Sequence, residues 1–222
     1  MSAPVLFEEI DSKAGKVGRI TLNVEPTLNS LTLEMVDLLQ ARLDGWREDD
    51  SIGAVFIDGA GEKAFCAGGD VQALHASAVE TPGGPCEYGE AFFTREYRMN
   101  YTLHTWPKPL VCWGHGIVMG GGLGVMAGCS HRIVTEKTRI AMPEVTIALF
   151  PDVGGSWFLN HMPGKSGLFL ALTGASINAA DAIYTGIADR FVSSEHKQAV
   201  LDALVEQAWS ADPDLPLETT PP

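Results

Sequence analysis

Glu144 and Asp152 stand eight residues apart, each directly after a proline, in the stretch MPEVTIALFPDVGG. Between them Val145, Ile147, Ala148, Leu149 and Phe150 form an apolar run broken by Thr146. A carboxylate among apolar side chains is costly unless it is paired, hydrogen-bonded or neutral. The same surroundings raise a carboxyl pKa and can push two acids into different roles, as acid–base and nucleophilic catalysis require. Each acid also has a plainer reading. Asp152 could cap a helix ahead of an apolar segment, and Glu144 could be a surface residue after a kink.

Two glycine-rich stretches bear on the choice. AFCAGGDV, residues 64–71, follows a short apolar run; Gly68 and Gly69 let a ligand approach the backbone, and Asp70 is placed to cap the helix that follows. GHGIVMGGGLG, residues 114–124, follows the strand PLVCW. It lacks the Lys-Ser or Lys-Thr of a P-loop, and Met119 stands where GxGxxG needs glycine. It offers instead a helix N-terminus with bare N–H groups, suited to negative charge. Alone, each stretch also reads as a tight strand–turn–helix connection. Together they can give one N–H apiece to a single oxygen, which is how an oxyanion hole is built. With Glu144 and Asp152 nearby, the chemistry implied is acyl or enolate chemistry.

The elements that must position these residues alternate. VLFEEI and VGRITL read as a hairpin, residues 31–46 as an amphipathic helix, and IGAVFID as a strand buried on both faces. A loop at ETPGGP precedes a long helix, stopped by Pro107, and then PLVCW, a glycine-led helix and the strand HRIVT. Short helices span 154–185, followed by the strand DRFV and a closing helix over 194–209. The fold class expected is α/β, with one domain over 1–209 and an unstructured Pro-rich tail over 210–222.

Composition excludes several functions. The 222 residues, 45% of them hydrophobic and 19% charged, suit a soluble domain with a sizeable core. A formal net charge of -13 argues against nucleic acid or an anionic membrane as partner. Cys66, Cys86, Cys112 and Cys129 lack CxxC spacing and the six histidines form no HExxH, so reduced thiols and no metal are expected. Without a basic or Arg-rich leader or a membrane-length apolar run, the expected location is cytoplasmic.

AFCAGGDV, GHGIVMGGGLGV and MPEVTIALFPDVGGSWFLNHMPGKSGLFLALTG resemble the signature segments of the crotonase (enoyl-CoA hydratase/isomerase) superfamily, and more narrowly its 3-hydroxyisobutyryl-CoA hydrolase branch, across about residues 5–205. The resemblance implies a spiral of ββα turns with C-terminal helices, and an acyl-CoA thioester bent between the two glycine loops. CoA would be part of the substrate, with no separate cofactor. Gly69 and Gly121 would donate the oxyanion-hole N–H groups, Glu144 would be the shared catalytic glutamate and Asp152 the aspartate of the hydrolase branch. Leu28, Ala67, Gly68, Asp70, Gly120 and Gly122 would line the substrate. Leu28 and Asn29 match the relatives' CoA loop, whose basic residues are replaced here by Val24, Glu25 and Pro26.

Hydratases of the superfamily carry a second catalytic glutamate shortly beyond the second glycine loop, where this chain has Gly124. The activity implied is therefore hydrolysis of a 3-hydroxyacyl-CoA, foremost 3-hydroxyisobutyryl-CoA in valine breakdown. A hydratase or isomerase is the alternative, and an inactive CoA-binding module is a third reading. The branch also carries a C-terminal helical cover that this sequence reads as lacking. A homo-oligomer is compatible with the resemblance.

Overall fold

The computed structural model describes residues 3–13 and 15–207. Strands β1 (Val5–Ser12) and β2 (Gly15–Leu22) form the expected antiparallel hairpin. Helix α1 (Leu33–Glu48) follows, capped by Thr32, whose Oγ1 accepts from Met35 N at 3.2 Å. It buries Met35, Val36, Leu39, Leu43 and Trp46 along one stripe. The helix starts two residues later than the periodicity suggests, because Leu31 is held in a parallel bridge to Gly69.

The rest winds through repeated pairs of one long and one short strand. The pairs are β3 (Ile52–Gly59) with β4 (Ala64–Cys66), β5 (Leu110–Gly114) with β6 (Ile117–Met119), and β7 (His131–Val134) with β8 (Arg139–Ala141). A two-residue β9 (Arg190–Phe191) completes the large sheet, ordered β1-β2-β3-β5-β7-β9, while the short strands form a second sheet, β4-β6-β8. Beyond the hairpin every pairing between these strands is parallel. Helices α2 (Val71–Glu80) and α3 (Glu87–His104) follow β4, and α4 (Gly121–Ala127) follows β6. After β8 come a 3-10 turn over Pro143–Ile147 and the short helices α5 (Gly155–Phe158), α6 (Ser166–Thr173) and α7 (Ala179–Tyr184). This is the ββα spiral that the family resemblance implies.

Side-chain alternation shows why the large sheet is apolar on both faces. Val55, Ile57, Leu110, Cys112 and Val134 point into the main core. Their neighbours Phe56, Val111, Trp113 and Ile133 point the other way. That second face is covered by α8 (Lys197–Glu206) through Leu201 and Leu204. Lys197 anchors α8 by an ion pair of 2.6 Å to the fully buried Asp58, which also takes Arg19 at 2.9 Å and the Thr21 hydroxyl at 2.6 Å. Of the closing helix, residues to 206 are helical; its expected end at 209 and the tail over 210–222 lie outside the described residues. Among the described residues no helix is long and apolar enough to cross a membrane, and no group of His, Cys, Asp and Glu could hold a metal ion.

Candidate active site

The small sheet positions the candidate residues. Its three parallel strands end side by side, and each feeds one of the segments singled out above. β4 runs into Ala67–Asp70, β6 into Gly120 and Gly121, and β8 into Met142–Glu144. The carboxyl ends of parallel strands are where open α/β sheets gather their ligands. The sequence reading places the second glycine loop directly after PLVCW. In the structure β6 intervenes, so Gly114 ends β5, Gly116 belongs to the turn into β6, and of these glycines Gly120 and Gly121 reach the site.

The first loop is strapped to the segment Leu28–Leu31 by backbone bonds from Ala67 N to Leu28 O at 3.0 Å, Leu31 N to Gly68 O at 2.8 Å and Asp70 N to Leu31 O at 2.9 Å. These bonds leave Gly69 N–H without a backbone acceptor among the described residues. Gly121 opens α4, so its N–H has no partner within the helix. A β-carbon on Gly121 would lie 3.4 Å from Gly69 N, and one on Gly68 would lie 3.6 Å from Gly121 N. Two unused donors therefore border one small volume. The other loop residues divide by role. Asp70 caps α2 through Ala73 N at 3.1 Å, and Gly122 packs so closely on β4 that a β-carbon would collide with Cys66 O. Gly120 faces Glu144, whose Oε1 would stand 2.9 Å from a β-carbon there.

Glu144 is 6% exposed, which removes the reading of a surface residue after a kink. Its Oε2 has no hydrogen-bond partner among the described residues. Burial pushes its pKa up to about 7, with the negative charge of Asp152 adding to the rise. Asp152 is 8% exposed and does not cap a helix: α5 begins at Gly155 behind Gly154, without a side-chain cap. Its Oδ2 accepts from Tyr97 Oη at 2.7 Å instead. Burial raises the Asp152 pKa, and the Tyr97 hydrogen bond works against that rise.

A third carboxyl, which the sequence reading missed, completes the cluster. Glu96 on α3 is 2% exposed, and a β-carbon on Gly121 would collide with its Oε1. That oxygen has no partner among the described residues. Burial pushes its pKa up to about 8, helped by the charges of Asp152 and Glu144. The signal was in the sequence. Glu96 lies on the helical stripe Phe92, Met99 and Leu103, all of them buried, and a lone acid on such a stripe needs an explanation. Glu96 beside Gly121 and Glu144 beside Gly120 thus adjoin the two free N–H groups, with Asp152 near enough for its charge to raise both their pKa values, an arrangement able to stabilise a carbonyl oxyanion while supplying both a base and a proton.

The sequence profile of the enoyl-CoA hydratase/isomerase family matches residues 17–219. The chain belongs to this family. A 3-hydroxyisobutyryl-CoA hydrolase, mitochondrial, from Danio rerio is 44% identical over 206 residues, covering 93% of this chain and 53% of that protein. A small ribosomal subunit protein mS47 from Neurospora crassa is 40% identical over 187 residues, covering 84% of this chain and 37% of that protein. Among solved structures, an enoyl-CoA hydratase from Rhodobacter sphaeroides superposes with a TM-score of 0.86 at 40% identity, covering 99% of this chain and 62% of that one. The chain therefore spans about half the length of the hydrolase it matches. That hydrolase carries a mitochondrial name, which lends no support to the cytoplasmic expectation.

Proposed function

We propose that this family member hydrolyses a 3-hydroxyacyl-CoA thioester, with 3-hydroxyisobutyryl-CoA as the foremost candidate. The observation that carries the reading is the buried carboxyl cluster in which Glu96 and Glu144 stand beside Gly121 and Gly120, next to the N–H groups of Gly69 and Gly121, with Asp152 coupled to both glutamates. The thioester oxygen sits between those two donors, which stabilise the charge that develops on attack. Glu144, ionised above about pH 7, either attacks the carbonyl carbon to form an anhydride or takes a proton from an attacking water. In both routes the C–S bond breaks and the CoA thiolate must gain a proton; in the first, a water then cleaves the anhydride, releasing the acid and restoring the Glu144 carboxylate. Glu96, still protonated up to about pH 8, can supply it. Asp152 accepts the substrate 3-hydroxyl or relays a proton.

Hydration that relies on a second glutamate at position 124 is the weaker reading, because Gly124 has no room for a side chain. A β-carbon there would stand 2.5 Å from Val153 Cβ. The resemblance to a protein named as a ribosomal subunit favours a second reading, a non-catalytic assembly component. Retention of the buried acids weighs against it, since burying carboxyls without a task is destabilising. One assay separates the three: free-thiol release from a panel of acyl-CoA esters, with crotonyl-CoA hydration followed in parallel. Thiol release supports the hydrolase, hydration alone supports the hydratase, and neither supports the assembly component.

A further inference from the structure

A cleft of about 320 Å³ lies between α3 and α5, beside the carboxyl cluster. Tyr97, Tyr101 and His104 line it from α3, at the four- and three-residue steps that put side chains on one face of a helix. Trp157 and Phe158 line it from α5, and Gly124 and Gly128, which carry no side chain to narrow it, from α4 and its C-terminal cap. Asn100 also borders the cleft, but its amide atoms are buried away from it.

The cleft has an inner and an outer end. Tyr97 Oη is bonded to Asp152 at 2.7 Å and the buried Val153 follows Asp152 in the chain, so the carboxyl cluster adjoins the inner end. Exposure along α3 rises from 39% at Tyr97 to 69% at Tyr101, and Trp157 across from them is 56% exposed. The outer end therefore opens to solvent between rings. Trp157 is held in place there, with His161 at 4.3 Å and a tilt of 34°, and His104 edge-on at 5.4 Å. Tyr97 to His104 spans about 10 Å of helix, a length that an extended chain of about eight carbons covers. A four-carbon acyl group would leave the outer end empty.

The walls favour one kind of tail. Aromatic rings attract a cation through their quadrupoles, and a quaternary ammonium group is held this way without needing hydrogen bonds. Among the described residues no lysine or arginine lines the cleft to repel such a group. Asp152 stands at the inner end, and the chain carries a formal net charge of -13. We propose that this cleft holds the acyl tail, and that it selects 3-hydroxyacyl groups of about eight carbons ending in a trialkylammonium cation among Tyr101, His104 and Trp157. The inference rests on the thioesterase reading and narrows its substrate class. It differs in sign from a merely apolar pocket, which would prefer a neutral tail because burying a charge is costly.

The test compares two esters of one shape, 3-hydroxy-8-(trimethylammonio)octanoyl-CoA and its neutral isostere 3-hydroxy-9,9-dimethyldecanoyl-CoA, on the full chain. The cationic ester should have the higher kcat/KM, by about two- to thirty-fold, the range of a cation–ring contact. Tyr101→Leu and Trp157→Leu each remove a ring and keep the wall apolar, at positions exposed enough to spare the fold. Each should lower the ratio, and the double variant should bring it to one or below. Because the ratio is taken within one protein, a general loss of activity cancels. A parental ratio of one or less would overturn the proposal, as would a ratio that survives unchanged in the double variant. Should the double variant fail to fold, an unchanged ratio in both single variants overturns it equally. Thiol release from 3-hydroxyisobutyryl-CoA alone, with neither long ester turned over, would overturn it as well. Should none of the three release thiol, the hydrolase reading fails by itself. Calorimetric binding of the two long esters must then show the same order, or the subsite falls too.

Discussion

Tyr97 Oη donates a hydrogen bond of 2.7 Å to Asp152 Oδ2, joining the middle of α3 to the loop that precedes α5. This contact does two things. It satisfies one oxygen of a buried acid, and it engages the carboxyl with α3 rather than with the helix end that PDVGG suggests.

Asp152→Asn keeps the shape and can still accept from Tyr97, but it cannot hold a charge or exchange a proton in the same way. Turnover of a 3-hydroxyacyl-CoA should fall on the order of 100-fold, with an unfolding temperature equal to the parent's or higher. A variant with parental turnover would make Asp152 structural. Tyr97→Phe removes a donor that lowers the Asp152 pKa, so the limb of the pH–rate profile that Asp152 controls should move to higher pH. Thiol-release rates measured across the pH range check both variants.

Glu144 and Glu96 set a pH window with a definite sign. The base must be ionised, so activity should rise through about pH 7; the proton donor must be neutral, so activity should fall above about pH 8. These midpoints belong to the coupled cluster as a whole. Glu96→Gln should remove the alkaline limb and lower the plateau. Stability follows the same shifts. A carboxyl whose pKa is raised on folding binds more protons folded than unfolded, so it costs stability increasingly as pH rises from about 4.5 to its folded value, and the cost is constant above that. Glu96→Gln should accordingly unfold a few °C higher than the parent at pH 9, a gain that shrinks toward nothing near pH 4. A gain independent of pH would contradict a buried, proton-retaining Glu96.

Most of the frame was legible in the sequence because strands and helices here are long and periodic. IGAVFID and PLVCW are apolar on both sides since the sheet is covered on both faces, and α1 shows its stripe plainly. What stayed hidden depends on contacts across the chain. β6 and β8 have only three residues each, too few for any periodicity. For Asp152 the cap stayed open as the plainer alternative to a catalytic role, because its hydrogen-bond partner, Tyr97, lies 55 positions away. Glu96 was overlooked because an acid within a long helix usually faces water, and only the neighbouring stripe residues show that this one does not.

Gly121 bears on the oxyanion hole and on Glu96 together. Gly121→Ala retains the N–H, but its β-carbon would collide with Glu96 Oε1 and crowd Gly69 N. The glutamate must swing away or the loops must part. Either response spoils the donor geometry, and the loss of one such donor costs about 100- to 1,000-fold in rate. Circular dichroism and retained CoA binding would show that the fold survives. Parental rates in a folded Gly121→Ala chain would mean that these N–H groups do not hold the reacting oxygen.

Val153 explains in physical terms why Gly124 carries no side chain. Its φ of 44° lies in the left-handed region, a poor conformation for a β-branched residue, and its Cβ fills the space over Gly124. Gly124→Glu should therefore destabilise the chain by overpacking, by about 1–3 kcal/mol or more. Val153→Gly relieves the backbone strain and clears that space. In the double variant most of the loss should return, giving a coupling well outside the few tenths of a kcal/mol expected of independent sites. Denaturant unfolding of the four proteins of this cycle measures the coupling directly. A Gly124→Glu chain as stable as its parent would show that Val153 is no barrier, and hydration by a glutamate at position 124 would then have to be reconsidered.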